Sequence, residues 1–211
     1  MKESVVFLSG SISEKKMPLI ISEWVDRYVI SNCKFIVGDA SGIDSVFQEY
    51  LHKKKYLSVE VFGVSDRPRN KREKKWEYIK INVPNKFKNT SRMNFLFRDF
   101  QLSKQSHGGI IVWNPIRNTR GRESVSKGSL FNMINLLSDN KSLILYYIPS
   151  NEVRLIDSLD DLFSNYIEGN KQLENAWTEL KKLRSRILVE ENKSNSTLNE
   201  KNSHDKINLF W

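Results

Sequence analysis

Three groups of residues in this chain have the types and spacing to do chemistry. The first is the turn Gly38-Asp39-Ala40-Ser41-Gly42-Ile43-Asp44. Its small residues let backbone N–H groups approach an anion, and a helix opening at its end adds roughly half a positive charge. Asp39 and Asp44 flank the turn, where either carboxylate suits a ribose hydroxyl, a base edge or a water; the competing reading is that Gly38 and Gly42 only make a sharp βα corner. Ala40 within the turn and Gln48 just beyond it join the ligand-binding candidates. The second group is Ser126-Lys127-Gly128-Ser129, a predicted helix start that reads either as another anion seat or as an ordinary N-cap by Ser126 or Ser129. The third is Arg98-Asp99, near the middle of a predicted helix over 92–106. Cleaving a base from a sugar needs a carboxylate near the anomeric carbon, as nucleophile or general base, and a donor for the leaving base. Asp99 and Asp44 are the catalytic candidates, with Arg98 offsetting charge. The competing reading of Arg98-Asp99 is a surface ion pair.

Other chemistries find no support. His52, His107, His204 and the single Cys33 are scattered, so no metal ligation and no cofactor are expected. No Ser-His-Asp set can be assembled. Lys127-Gly128-Ser129 has the wrong order for a Walker-type loop.

Stepping from these residues to what must hold them, apolar runs at 5–8, 35–37, 57–62, 110–113 and 143–148 read as strands. Between them lie amphipathic helical patterns, the first opened by Pro18. This strand–helix alternation predicts an α/β fold: a mainly parallel sheet of about five strands, with ligand at the C-terminal strand ends. Residues 1–150 form that domain and residues 151–190 a helical extension. Its stripe Leu173, Trp177, Leu180, Leu183 and Ile187 packs on the domain or on a second subunit, as in a homodimer. Residues 191–211, rich in Asn, Lys and Ser, read as a flexible tail.

Net charge is +9, from 34 basic against 25 acidic residues, which favours an anionic partner. Much of the excess lies in a basic inserted loop, 65–91, that also holds Trp76, Tyr78 and Phe87, with a small strand or ribbon read around 77–83. Basic residues interleaved with aromatics suit single-stranded nucleic acid. The alternative is a solvated loop that packs its aromatics back on the domain. One cysteine, no leader pattern and no apolar run of membrane-spanning length lead to the expectation of a cytoplasmic protein without membrane contact.

The motifs taken in order resemble the SLOG superfamily, named after the Smf/DprA and Lonely-guy proteins, and in particular its YspA-like small Rossmann branch. A strand ending in Ser9-Gly10-Ser11 opens the series, followed by the Gly38–Asp44 turn. The Arg98-Asp99 helix, a strand ending in Trp113 and the Ser126-x-Gly128 element complete it. The resemblance covers about residues 5–147 and implies a Rossmann-like three-layer sandwich binding a nucleotide or nucleotide-derived ligand. It assigns phosphate and ribose contacts to Gly10, Ser11, Gly38, Asp39, Gly42 and Asp44, with Ser9 on the same edge. Ser126 and Gly128 would form the other phosphate seat, Trp113 and Asn114 would border base or sugar, and Arg98 and Asp99 would lie near the reactive bond. Lonely-guy enzymes carry a Pro-Gly-Gly-x-Gly-Thr-x-x-Glu signature; here the stretch ends in Asn132, which is neither acid nor base. Three functions stand: a nucleotide N-glycosidase, a non-catalytic nucleotide sensor, and a single-stranded nucleic-acid binder.

Overall fold

The apolar runs do become strands, and two further strands extend the sheet they form. The computed structural model describes residues 4–88, 90–119 and 122–207, with backbone alone at 119 and 193–207. The first five strands are β1 (Val5–Gly10), β2 (Lys34–Gly38), β3 (Val59–Gly63), β4 (Glu77–Lys80) and β5 (Gly108–Trp113). A hairpin of β6 (Ile116–Thr119) and β7 (Arg122–Val125) follows, then β8 (Leu143–Tyr147) and β9 (Glu152–Ile156). The main sheet has seven strands in the order β4-β3-β2-β1-β5-β8-β9, parallel except for β9.

The expected count of about five strands is thus corrected to seven. Both additions are edge strands, and β4 falls within the small strand or ribbon read around 77–83. β4 is half exposed and held mainly by its backbone ladder to β3. β9 lies beyond Pro149, where the sheet was expected to end. It pairs antiparallel with β8 because the connection is a short turn through Asn151, at φ 53°, with no room for a crossover.

Alternation along the strands splits the core in two. Val6, Leu8, Phe35 and Val37 face α1 (Leu19–Ile30) and α2 (Ile43–Lys53). Phe7, Ile36 and Ile111 face α3 (Ser91–Gln105) and α4 (Lys127–Ser138). The result is a Rossmann-like three-layer α/β sandwich. α5 (Leu159–Tyr166) and α6 (Lys171–Ile207) add a further cover on the α4 side. Leu173, Trp177, Leu180 and Ile187 of the expected stripe are buried in the same core as α4. Past Val189 the backbone of α6 stays helical to Ile207, through most of the segment expected to be a tail. Residues 208–211 lie outside the described residues. Among the described residues, no helix is long and apolar enough to cross a membrane.

The chain winds outward from β1 to β4, then returns through α3 to place β5 on the other side of β1. Strand order reverses there, and the crevice at the C-terminal ends of β1 and β5 is where open α/β sheets take ligands. The basic loop returns to that crevice, where its Arg69 lines the cavity. Its aromatics are spoken for: Trp76 is buried and donates from Nε1 to Tyr56 O, and Phe87 is buried against Phe97. The Tyr78 hydroxyl donates to Ser65 O.

Candidate functional site

β2 ends at Gly38, and the next four residues, Asp39 to Gly42, turn the chain into α2. Gly42, at φ 84° and ψ −140°, sits where only glycine is comfortable, and a Cβ there would lie 2.5 Å from the Ile12 Cα. That conformation aims Asp44, in the first turn of α2, back across Gly38. Arg98 reaches the same spot from the buried face of α3. Its Nη1 donates to Asp39 Oδ1 at 2.8 Å, and its Nε and Nη2 donate to Asp99 Oδ1 at 2.9 and 2.6 Å. The Arg98-Asp99 pair is therefore not the surface ion pair of the competing reading: the two residues are 3% and 7% exposed.

A second arginine arrives from the basic loop. Arg69 donates from Nη2 to Asp39 Oδ1 at 2.7 Å and from its backbone N–H to Asp39 Oδ2 at 3.1 Å. Its guanidinium also covers the Phe95 ring, 4.0 Å from the centroid. Gln48 anchors the loop from behind: its Nε2 donates to Gly38 O at 3.0 Å and its Oε1 accepts from Arg72 N at 3.3 Å. Asp39 and Gln48 thus brace the site.

These five charges have unequal proton affinities. Burial raises the Asp39 pKa, but hydrogen bonds from Arg69 and the charges of Arg98 and Arg69 outweigh it and hold this carboxyl below its usual range. Asp44 is pushed up to about 7, first by burial, with Asp99 and Asp39 adding to the rise and Arg98 opposing it. Burial also raises Asp99, against the pull of Arg98. Among the described residues the Asp44 carboxyl has no hydrogen-bond partner, although it is 5% exposed.

Asp44, Arg98 and Asp99 line a cavity of about 640 Å³ at the switch point of the sheet. The cavity also includes the start of α4. Ser126 stands at its N-cap position but does not cap it: the Ser126 hydroxyl pairs instead with those of Ser11, at 3.0 Å, and Ser129, at 3.4 Å. Among the described residues, no side chain caps the first N–H groups of α4. A side chain at Gly128 would meet nothing within 4 Å.

Of the expected contacts, Ser9, Gly10, Ala40, Asp44, Arg98, Asp99, Ser126 and Gly128 line the cavity. Ser11, Gly38, Asp39, Gly42, Gln48, Trp113 and Asn114 do not. Ser11 ties the strand ends together, donating to Asn114 O at 3.1 Å and accepting from Asn114 N at 2.8 Å. Trp113, expected at the base or sugar, is wholly buried in the core on the α4 side. The Asn114 side chain turns away to Glu14, at 2.8 Å. Sequence reasoning did not place Arg69, Phe95, Arg117, Ser124 and Asn132 in the site; all five line the cavity. Arg117 and Ser124 come from the β6–β7 hairpin, which forms one wall.

The packing over Gly38 gives a first prediction. A Cβ there would lie 2.5 Å from Asp44 Oδ2 and 2.7 Å from Arg98 Nη2, so both heads would have to move. Gly38→Ala should destabilise by about 1–3 kcal/mol, read as a lower thermal midpoint, and should weaken ligand binding together with stability. An unchanged midpoint would show that the cluster is not fixed by this contact.

No protein-family model matches the chain, and no curated protein matches it significantly in sequence.

Proposed function

We propose that the cavity binds a nucleotide or nucleotide-derived ligand and that the protein hydrolyses its N-glycosidic bond. The observation that carries this reading is Asp44: a buried carboxyl, unpartnered and protonated near neutral pH, in one cavity with a second carboxyl tied to arginine. Two carboxyl groups in unlike surroundings, Asp44 without a hydrogen-bond partner and Asp99 held by Arg98, offer an acid and a base for cleavage of a glycosidic bond. In this scheme the phosphate rests on the uncapped start of α4. Asp44 gives its proton to the departing base. Water adds to the anomeric carbon and passes a proton to Asp99, whose Oδ2 receives no hydrogen bond from Arg98. Transfer of that proton back to Asp44 closes the cycle. Arg98 keeps its charge throughout, because the three surrounding carboxyl groups raise its pKa against the effect of burial.

The resemblance to the SLOG superfamily supports the same reading through the order of its motifs. Asn132 replaces the Lonely-guy glutamate, so the carboxylate work falls to Asp44 and Asp99. The single-stranded nucleic-acid reading is weaker, since Trp76 and Phe87 are core residues and offer no stacking face.

The test is to incubate the protein with a mixed pool of nucleoside mono-, di- and triphosphates and dinucleotides, followed by mass spectrometry. Free base together with a sugar phosphate is expected. An unchanged pool with one nucleotide retained on the protein would overturn hydrolysis and leave a sensor. No change and no retention would overturn the whole reading.

A further inference from the structure

Asn132 lies on α4 in the wall of the same cavity and is 2% exposed. Its Nδ2 donates to the Ser9 hydroxyl at 2.7 Å. Its amide also bears on the neighbouring Asp99 carboxyl, favouring the ionised form. The opposite atom, Oδ1, is buried and has no hydrogen-bond partner. Buried polar atoms are nearly always paired, so an orphaned acceptor in a cavity wall marks a contact that a ligand completes. Ser9, 5% exposed, accepts from Asn132, and among the described residues its own O–H is given to no protein acceptor. The wall therefore presents a free acceptor and a free donor on two side chains that are hydrogen-bonded to each other. A hydroxyl, which gives one hydrogen bond and takes others, is the group complementary to that pair. A phosphate oxygen is not, because it has no proton to give to Oδ1.

Resting on the nucleotide reading, we propose that Asn132 and Ser9 form a sugar-hydroxyl subsite, making the protein selective for a nucleotide whose ribose carries the hydroxyl they hold. The subsite lies beside Asp99, so it also fixes the sugar relative to the carboxylate that faces its anomeric carbon. A ligand lacking this hydroxyl leaves the buried Oδ1 unpaired. Losing a hydrogen bond to a buried partner in this way weakens binding by about tenfold or more.

The experiment uses adenosine, guanosine, cytidine and uridine 5′-monophosphates and their 2′-deoxy and 3′-deoxy analogues. Binding is measured by isothermal titration on the full chain carrying Asp44→Asn, in which turnover is slowed about 10²–10⁴-fold and the neutral acid is mimicked. One of the two deoxy series should bind at least about tenfold more weakly than the ribonucleotides. Adding Asn132→Leu should remove that discrimination by weakening the ribonucleotide alone, whereas Asn132→Asp, which keeps an acceptor, should retain it. Equal affinity across the three series overturns the subsite while leaving the nucleotide reading intact. So does an Asn132→Leu protein of native circular dichroism that still discriminates. Binding of none of the twelve compounds overturns both. The comparison in the Asn132-containing protein needs no variant at that position, so a folding failure of Asn132→Leu does not shelter the proposal.

Discussion

Arg98→Leu is expected to lower stability by about 3–5 kcal/mol, the loss seen when one partner of a buried ion pair is removed. Against a total of roughly 5–15 kcal/mol for a domain, that is enough to leave the chain marginal at neutral pH. The reason is local. Arg98 is 3% exposed and serves Asp39 and Asp99 through three N–H groups, with Asp44 beside them. Leucine fills most of the volume but strands three carboxyl groups in one buried place, and Arg69 reaches only Asp39. Arg98→Lys should recover little, since an ammonium cannot reproduce a planar fork that spans two carboxylates. Thermal melts check this: the midpoint should fall by roughly 6–20 °C at pH 7. The deficit should shrink toward pH 4, where Asp44 and Asp99, both raised by burial, take up protons and no longer need the guanidinium. A midpoint within 2 °C of the parent at pH 7 would mean that Arg98 is not the hub of the cluster.

The parts of this site that were legible in the sequence are those set by local physics. A run such as Phe35-Ile36-Val37 closed by Gly38 can hardly be anything but a buried strand ending in a turn, and Gly42 announces a backbone that other residues avoid. The spacing of Phe95, Leu96 and Phe100 around Arg98-Asp99 set the helix, although the pair could still have faced water. What could not be read depends on contacts far apart in sequence. Arg69 looks like any other basic residue between Arg67 and Lys75, and only the return of the loop over Asp39, thirty positions earlier, singles it out. The β6–β7 hairpin carries no apolar alternation; its strands exist because they pair with each other, Ile116 with Val125 and Arg117 with Ser124. Trp113 misled in the opposite sense. The family resemblance set it beside the base or sugar, but alternation along β5 sends its ring into the α4 side of the core, against Tyr147. Strand parity, not proximity to the edge, decides which side chains of a strand end reach a crevice.

Asp44→Asn should make the protein more stable and less active at once, and the pairing of the two effects is the informative part. The Asp44 carboxyl is raised from 3.8 to about 7 in the folded chain. Between about pH 4 and pH 7 the folded protein therefore holds a proton that the unfolded chain has released. Stability contributed by this proton is complete below pH 4 and is lost as pH rises toward 7, at ~1.4 kcal/mol per pH unit for a full proton. Asparagine has no proton to lose, so the variant should lack this slope. It should match the parent near pH 4 and exceed it by roughly 2–4 kcal/mol at pH 8. Turnover should move the other way. Removing a general acid costs about 10²–10⁴-fold, and the parent itself should slow above pH 7 as Asp44 loses the proton it must give. Asp99→Asn should also abolish turnover, yet with affinity largely kept, because the amide can still accept from Arg98 at Oδ1. Melts across pH 4–8 and base release measured over the same range decide the matter. A carboxyl that merely stabilised the fold would make Asp44→Asn less stable at every pH. A variant that gained stability at pH 8 but released base as fast as the parent would leave Asp44 a buried acid with no part in the chemistry.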